Sequence, residues 1–282
     1  MIYFAYDGSI NGDWVSRYAI RMAAGMPEPR LRLLHIRDDG DASHAEVTAA
    51  GIERIRRECE EEGIAFEEAV HAQRGSVAET LQQVLADESP AGSMLVLGTR
   101  VRPRHRRYLA GTVAEAMLAW RRLDIVAVRV VHPGLLGVPH TLMLSFAGDA
   151  YEGEAFGRLL QLLSPHIHRL HLLYLLRVRR LWWHLFGRRY AERQHQLAHA
   201  HIEQCEAQLT EQAAISPRHV DVRVRFADHP AIDMIAHARK HKAQLLVLGY
   251  DGGGIPSQQE RRLVERLLKS APCDVAIYGP KD

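Results

Sequence analysis

Residues 98 to 112, GTRVRPRHRRYLAGT, leave the apolar run MLVLG and re-enter helix-forming sequence at VAEAML. A loop that departs from a buried strand and returns to a helix through Gly111-Thr112 aims backbone N–H groups and a hydroxyl at an anion, helped by the positive end of the helix dipole. The chemistry is phosphate binding. Arg100, Arg102, Arg104, His105, Arg106 and Arg107 crowd the same loop, where guanidinium groups either pair with phosphates or another anionic partner or simply solvate the loop. A second candidate is Asp7, in the turn Asp7-Gly8-Ser9 that closes the run YFAY. The plainer reading of these residues is local: Gly98 and Gly111 permit a tight loop, Thr112 caps a helix and Asp7 caps a turn.

Other chemistries find less support. There is no G-x-S-x-G elbow and no G-x-x-x-x-G-K-[S/T] loop, so no catalytic residue is assigned. Seventeen histidines include His195, His199 and His201 on one helical stretch and the i,i+4 pair His237 and His241. No H-E-x-x-H, cysteine pair or adjacent carboxylate completes either group, and solvated helix faces without metal are expected. Cys59, Cys205 and Cys273 are far apart and outside any C-x-x-C motif, which fits a reducing compartment, and Cys59 and Cys205 are expected half-buried on helices. A net charge of +2 excludes a nucleic-acid footprint over the whole surface. No run approaches the ~20 apolar residues of a membrane span, and MIYFAYDGS has no basic region ahead of a hydrophobic segment, so a cytoplasmic protein is expected.

The elements that position these residues are legible as repeats. Ile2 to Ile36 aligns without gaps on Thr141 to Leu175, and MLVLG, ending at Gly98, reappears as LLVLG, ending at Gly249. The offset grows between the two blocks, which places an insertion at residues 176 to 190, LRVRRLWWHLFGRRY. Its tryptophans and arginines suit packing over the second repeat, a partner or homodimer contact, or a membrane surface. Each copy ends in a β-branched run, IVAVRVV or DVAIY, and Pro133, Gly134, Gly137 and Pro139 punctuate the junction. The chain therefore reads as two repeats, 1–137 and 138–282, each β-α-β-α-β-α-β-α-β. This is the α/β pattern of two tandem doubly wound, open, Rossmann-like parallel sheets, whose ligands sit beyond the carboxyl ends of the strands.

The combination of Asp7-Gly8-Ser9 after the first strand with Gly98, Gly111-Thr112 and the helix VAEAML resembles the universal stress protein family in its tandem form. The resemblance implies a stress-response regulatory module that binds ATP or another adenine nucleotide in the first repeat, with Mg²⁺ accompanying it. Asp7 would lie near the ribose, backbone at Ile36 and Arg37 beside the base, and Gly98, Arg100, Gly111 and Thr112 around the phosphates and ion. It also implies an internal pseudo-dimer in which Ile125 to Val131 meets Asp274 to Tyr278. The family's second glycine is Val101 here. In the second repeat Gly249 and Gly252 remain, but Arg262-Leu263 replaces Gly-Thr and Phe146 takes the place of Asp7. Two alternatives stay open: a scaffold for protein partners with both pockets degenerate, and a weak ATPase built from Asp7 and Thr112.

Overall fold

The runs IYFA, MLVLG and LLVLG are short, bounded by turns and buried along nearly their whole length, as inner strands of a parallel sheet must be. In a computed structural model of the chain, residues 1–37, 45–88, 92–99, 109, 111–147, 153–177, 192–193, 196–200, 202–209, 211, 220–250 and 258–281 are described. The first half comprises β1 (Ile2–Ala5), α1 (Ile10–Ala24), β2 (Arg30–Arg37), α2 (Ala45–Glu61), β3 (Ala65–Ala72), α3 (Val77–Glu88), β4 (Met94–Gly98), α4 (Val113–Leu118) and β5 (Asp124–Arg129). The second repeats the order with β6 (Thr141–Ala147), α5 (Gly153–Leu163), β7 (Arg169–Arg177), helical residues within 196–209, β8 (Val220–Ala227), α6 (Pro230–Lys240), β9 (Leu245–Gly249), α7 (Gln258–Ser270) and β10 (Asp274–Gly279).

The ten strands of the described residues form a single sheet in the order β3-β2-β1-β4-β5-β10-β9-β6-β7-β8. Pairing is parallel within each half, and the halves join where β5 and β10 run antiparallel, with Ala127 opposite Ile277. The pairing of last strands implied by the family resemblance is therefore present. Helices cover both faces. Val15 and Met22 of α1, Ile52 and Ile55 of α2, and Phe156 and Leu160 of α5 share one buried layer. Leu81 and Leu85 of α3, Met117 of α4, Met234 of α6 and Leu267 of α7 share the other. Each layer runs unbroken across the β5–β10 joint.

The register corrects the gapless alignment of the repeats. Ile2 pairs with Met94, and the residue at the same level in the second half, opposite Leu245, is Leu142, not Thr141. Face parity agrees, since Ile2 and Leu142 lie in the same buried layer. In a strand a one-residue slip sends every side chain to the opposite face, so packing fixes what letter matching could not. The backbone level of Asp7 thus falls at Ala147, not Phe146; neither is acidic. The span between the outer strands is longer in the second half: Leu31 pairs with Phe66, 35 residues on, whereas Leu170 pairs with Val220, 50 residues on.

Two carboxylates tie the halves together in near-symmetric fashion. Asp274, at the start of β10 and fully buried, accepts from the Tyr18 hydroxyl at 2.6 Å and from the Val131 and His132 N–H groups at 2.6 and 2.8 Å. Asp124, at the start of β5, accepts from Arg158 Nη1 at 2.8 Å, the Lys281 N–H at 2.9 Å and the Tyr278 hydroxyl at 3.1 Å. Each thus caps the backbone just beyond the end of the partner half's last strand, where the ladder no longer supplies acceptors. Burial first, and then the neighbouring carboxylate, push the Tyr18 and Tyr278 hydroxyls far above their ordinary pKa, so both remain donors.

Candidate functional site

Within the first half, the connection from β1 leads outward to β2 and that from β3 returns to β4 on the other side of β1. Strand order reverses between β1 and β4, and ligands of open α/β sheets bind beyond the carboxyl ends of the strands at such a point. Asp7 lies just past the end of β1, Gly98 ends β4, and Ile36 on β2 is level with Asp7 by register. The structure therefore brings these three to one crevice.

The first turn of α1 forms the crevice floor. Asp7 is exposed, and its Oδ1 accepts from the Ser9 N–H at 3.0 Å and the Ser9 hydroxyl at 2.5 Å. Ser9 in turn caps α1, accepting from the Gly12 N–H at 3.1 Å. The turn needs Gly8, whose φ of +73° is left-handed and whose Cα faces the Thr48 side chain without room for a Cβ. At Gly98 a Cβ would stand 2.7 Å from Asn11 Nδ2, so a larger residue there would push the Asn11 amide aside. On the α2 side, the Tyr6 hydroxyl donates to Asp13 Oδ1 at 2.6 Å, and Arg54 Nη2 reaches the same oxygen at 2.5 Å. Burial, then the bond to Asp13, raise the Tyr6 pKa well above its usual range, so this wall stays protonated. Arg37 is exposed at the end of β2 with its carbonyl accepting from the Gln73 N–H at 3.0 Å.

Gly111 and Thr112 form the turn into α4. Thr112 caps the helix, accepting from the Glu115 N–H at 3.2 Å while its own hydroxyl donates to the Leu109 carbonyl at 2.6 Å. The Gly111 N–H, which a phosphate would need, donates instead to Glu115 Oε2 at 2.7 Å. The other Glu115 oxygen lies 3.5 Å from Arg261 Nη2 on α7, so the second half reaches into this turn of the first. Asp7, Ile36 and Gly98 thus border one crevice, whereas the Gly111 N–H is occupied by the Glu115 carboxylate. Arg100, Val101, the arginine loop as far as Arg107, Gly252 and the Trp182-Trp183 segment lie outside the described residues.

The second half shows why its copy differs. The counterpart of α4 is α7, which begins at Gln258 and runs thirteen residues, so Arg262 and Leu263 lie inside a helix instead of ahead of one. Leu263 is buried in the α3–α4–α6–α7 layer. No turn with free N–H groups exists at these positions.

Two expectations change. Cys59 and Cys205 are fully enclosed, not half-buried. His237 is not on a solvated face, although His241 is half-exposed: His237 is 6% exposed, and burial followed by the neighbouring His241 lowers its pKa to about 4. His241 is also shifted down, chiefly by burial and then by His171. Helix spacing alone carries no sign of this, because His171 and Arg225, which act on His237, come from β7 and β8.

Residues 1–129 match the model of the universal stress protein family. Residues 1–129 therefore belong to the universal stress protein family. Its tandem architecture is shared by solved structures at low identity. A universal stress protein from Archaeoglobus fulgidus DSM 4304 is 14% identical with a TM-score of 0.62, covering 100% of this chain and 97% of that one. A functionally unknown protein from Pseudomonas aeruginosa PAO1 is 12% identical with a TM-score of 0.61, covering 98% and 91%. The cytoplasmic domain of a prokaryotic cation chloride cotransporter is 13% identical with a TM-score of 0.62, covering 99% and 95%. No curated protein matches the chain. Among the described residues of this universal stress protein, no helix is long and apolar enough to cross a membrane.

Proposed function

We propose that this tandem universal stress protein is a regulatory binding module, with repeats 1–137 and 138–282, whose first repeat alone takes an adenine nucleotide. The observation that carries the reading is the asymmetry between α4 and α7: only the first half keeps a Gly-Thr turn into its helix at the strand-order reversal. Asp7 serves the ribose, backbone at Ile36 and Arg37 the base, and Gly98, Gly111 and Thr112 the phosphates. Arg100, from the adjoining loop, adds charge there. Mg²⁺ would supply charge neutralisation beside the Thr112 hydroxyl. No general base is positioned by the described contacts of Asp7 or Thr112, both of which are committed to capping bonds. Three enclosed thiols suit a reducing compartment such as the cytoplasm.

A second reading, a protein-partner scaffold with both pockets closed, is favoured by one observation: the Gly111 N–H already holds the Glu115 carboxylate. Calorimetric titration of ATP with Mg²⁺ into wild type, Gly111→Arg and Glu115→Gln separates the two. Nothing lies within 4 Å of a Cβ built at Gly111, so the arginine variant meets no backbone clash there, although φ is +74°. The nucleotide reading expects saturable heat in wild type, none in Gly111→Arg, and tighter binding in Glu115→Gln, by about tenfold for one competing charge-assisted bond of roughly 1.5 kcal/mol. No heat in any of the three favours the scaffold.

A further inference from the structure

At the amino-terminal end of the second half's strands, opposite the end that carries the crevice, four side chains from three elements converge. His171 near the start of β7 places Nδ1 3.3 Å from Oδ2 of Asp221, its register partner on β8. His241, at the carboxyl end of α6, lies against His171 with ring centroids 4.6 Å apart and planes tilted by 50°, and His237 lies one turn back with its ring 4.3 Å from that of His241. Ligand atoms of His171, Asp221 and His241 all lie within 4.8 Å of one another.

We propose that His171, Asp221 and His241 form a binding site for a divalent transition ion of the zinc type, with His237 available as a fourth ligand. In a tetrahedral site with bonds of about 2.05 Å, ligand atoms stand roughly 3.4 Å apart. The His171–Asp221 separation already has this length, and His241 needs to close by little more than an ångström. His241 is half-exposed at a helix end, where its side chain has room to turn.

His237 supplies an independent indication. It is 6% exposed, and its Nε2 is buried with no hydrogen-bond partner. An unsatisfied buried imidazole nitrogen costs free energy that a bound cation would recover. Spacing of i,i+4 on a helix puts His237 and His241 on one side, as in helical metal sites. The competing occupant is Arg223, whose Nε approaches Asp221 Oδ1 at 3.2 Å and Oδ2 at 3.4 Å. Once a cation takes Oδ2, the guanidinium would keep to Oδ1 alone and orient the carboxylate. Imidazole and carboxylate donors without a thiolate suit Zn²⁺, Co²⁺ or Ni²⁺. The ion would pin α6 to β7 and β8.

The test uses the full chain, stripped with chelator and dialysed, and titrated with Zn²⁺ by calorimetry and with Co²⁺ by visible absorption. The site predicts one tight equivalent of Zn²⁺ and the ligand-field bands of tetrahedral Co²⁺. It also predicts binding weakened at least about tenfold in His241→Asn and in Asp221→Asn. Both positions are half-exposed, so far-UV circular dichroism should show both variants folded. His168→Ala, on an exposed histidine outside the cluster, should bind as wild type does. No stoichiometric binding in wild type overturns the proposal, as does Zn²⁺ binding of equal strength in all four proteins, which would mark adventitious coordination by other histidines.

Discussion

Replacing Asp274 with alanine removes the acceptor of three hydrogen bonds that span the two halves. Tyr18 is 1% exposed, so its hydroxyl has no route to water and is left unsatisfied at a cost of about 1–3 kcal/mol. The Val131 and His132 N–H groups sit nearer the surface, where partial hydration limits their loss to roughly 1 kcal/mol between them. The fully buried carboxyl also leaves a small void, adding about 1 kcal/mol. The expected destabilisation is about 3–5 kcal/mol, at the upper end for a single substitution. Asp274→Asn keeps an oxygen for the two N–H groups and should lose only about 1–2 kcal/mol. The assay is urea unfolding followed in parallel by tryptophan fluorescence and far-UV circular dichroism. With a slope near 3 kcal/mol per molar, the alanine midpoint falls by roughly 1 M or more. Because both buried layers cross the β5–β10 joint, the two probes should move together. An alanine variant within about 1 kcal/mol of wild type, or one equal to Asp274→Asn, would refute the assignment of cross-half stability to these bonds.

Gly137, with φ of +72°, packs so closely on α1 that a Cβ would stand 2.6 Å from the Arg17 carbonyl; Gly137→Ala should cost about 2–4 kcal/mol, read in the same denaturation experiment. Cys59 and Cys273 are fully enclosed, and burial pushes both thiols up to about 12. The thiolate fraction at pH 8 is then about 10⁻⁴, so Ellman's reagent should label them more than about 1,000-fold more slowly than a free thiol until denaturant is added; rapid labelling of the native protein would contradict the burial.

Much of the fold could be read from the residues because parallel inner strands announce themselves. MLVLG and LLVLG are continuous apolar runs ended by glycine, and the structure gives β4 and β9 those bounds. The one-residue slip at β6 arose because TLMLSFA is apolar on successive positions, so letters alone do not say which side faces which layer; only pairing with β9 decides. Asp7 follows β1 and Gly98 ends β4, as the apolar runs before them indicate. The Glu115 carboxylate on Gly111 was not foreseen, although Thr-x-x-Glu at 112 to 115 is a capping pattern that could have signalled it. Asp274 stood in a strand expected at the joint, but its bonds to the other half were invisible, as were those of Asp124, since each begins a strand of its own half and finds its side-chain partners in the other. The histidine cluster was likewise hidden, since His171 and Asp221 are fifty residues apart and meet His237 and His241 only through strand register and helix packing.

Covalent linkage also changes the thermodynamics of the β5–β10 joint. Between separate chains such a pairing would dissociate on dilution, whereas here its strength is set by an effective concentration that no dilution alters. In a symmetric homodimer every substitution appears twice, so a change that spoils one ligand pocket spoils both. A tandem chain escapes that constraint: Arg262 and Leu263 can sit inside a lengthened α7 while Gly111 and Thr112 keep their turn, and Arg158 can serve Asp124 where Tyr18 serves Asp274. The joint therefore frees each half to diverge while holding the pair at one-to-one stoichiometry at any concentration.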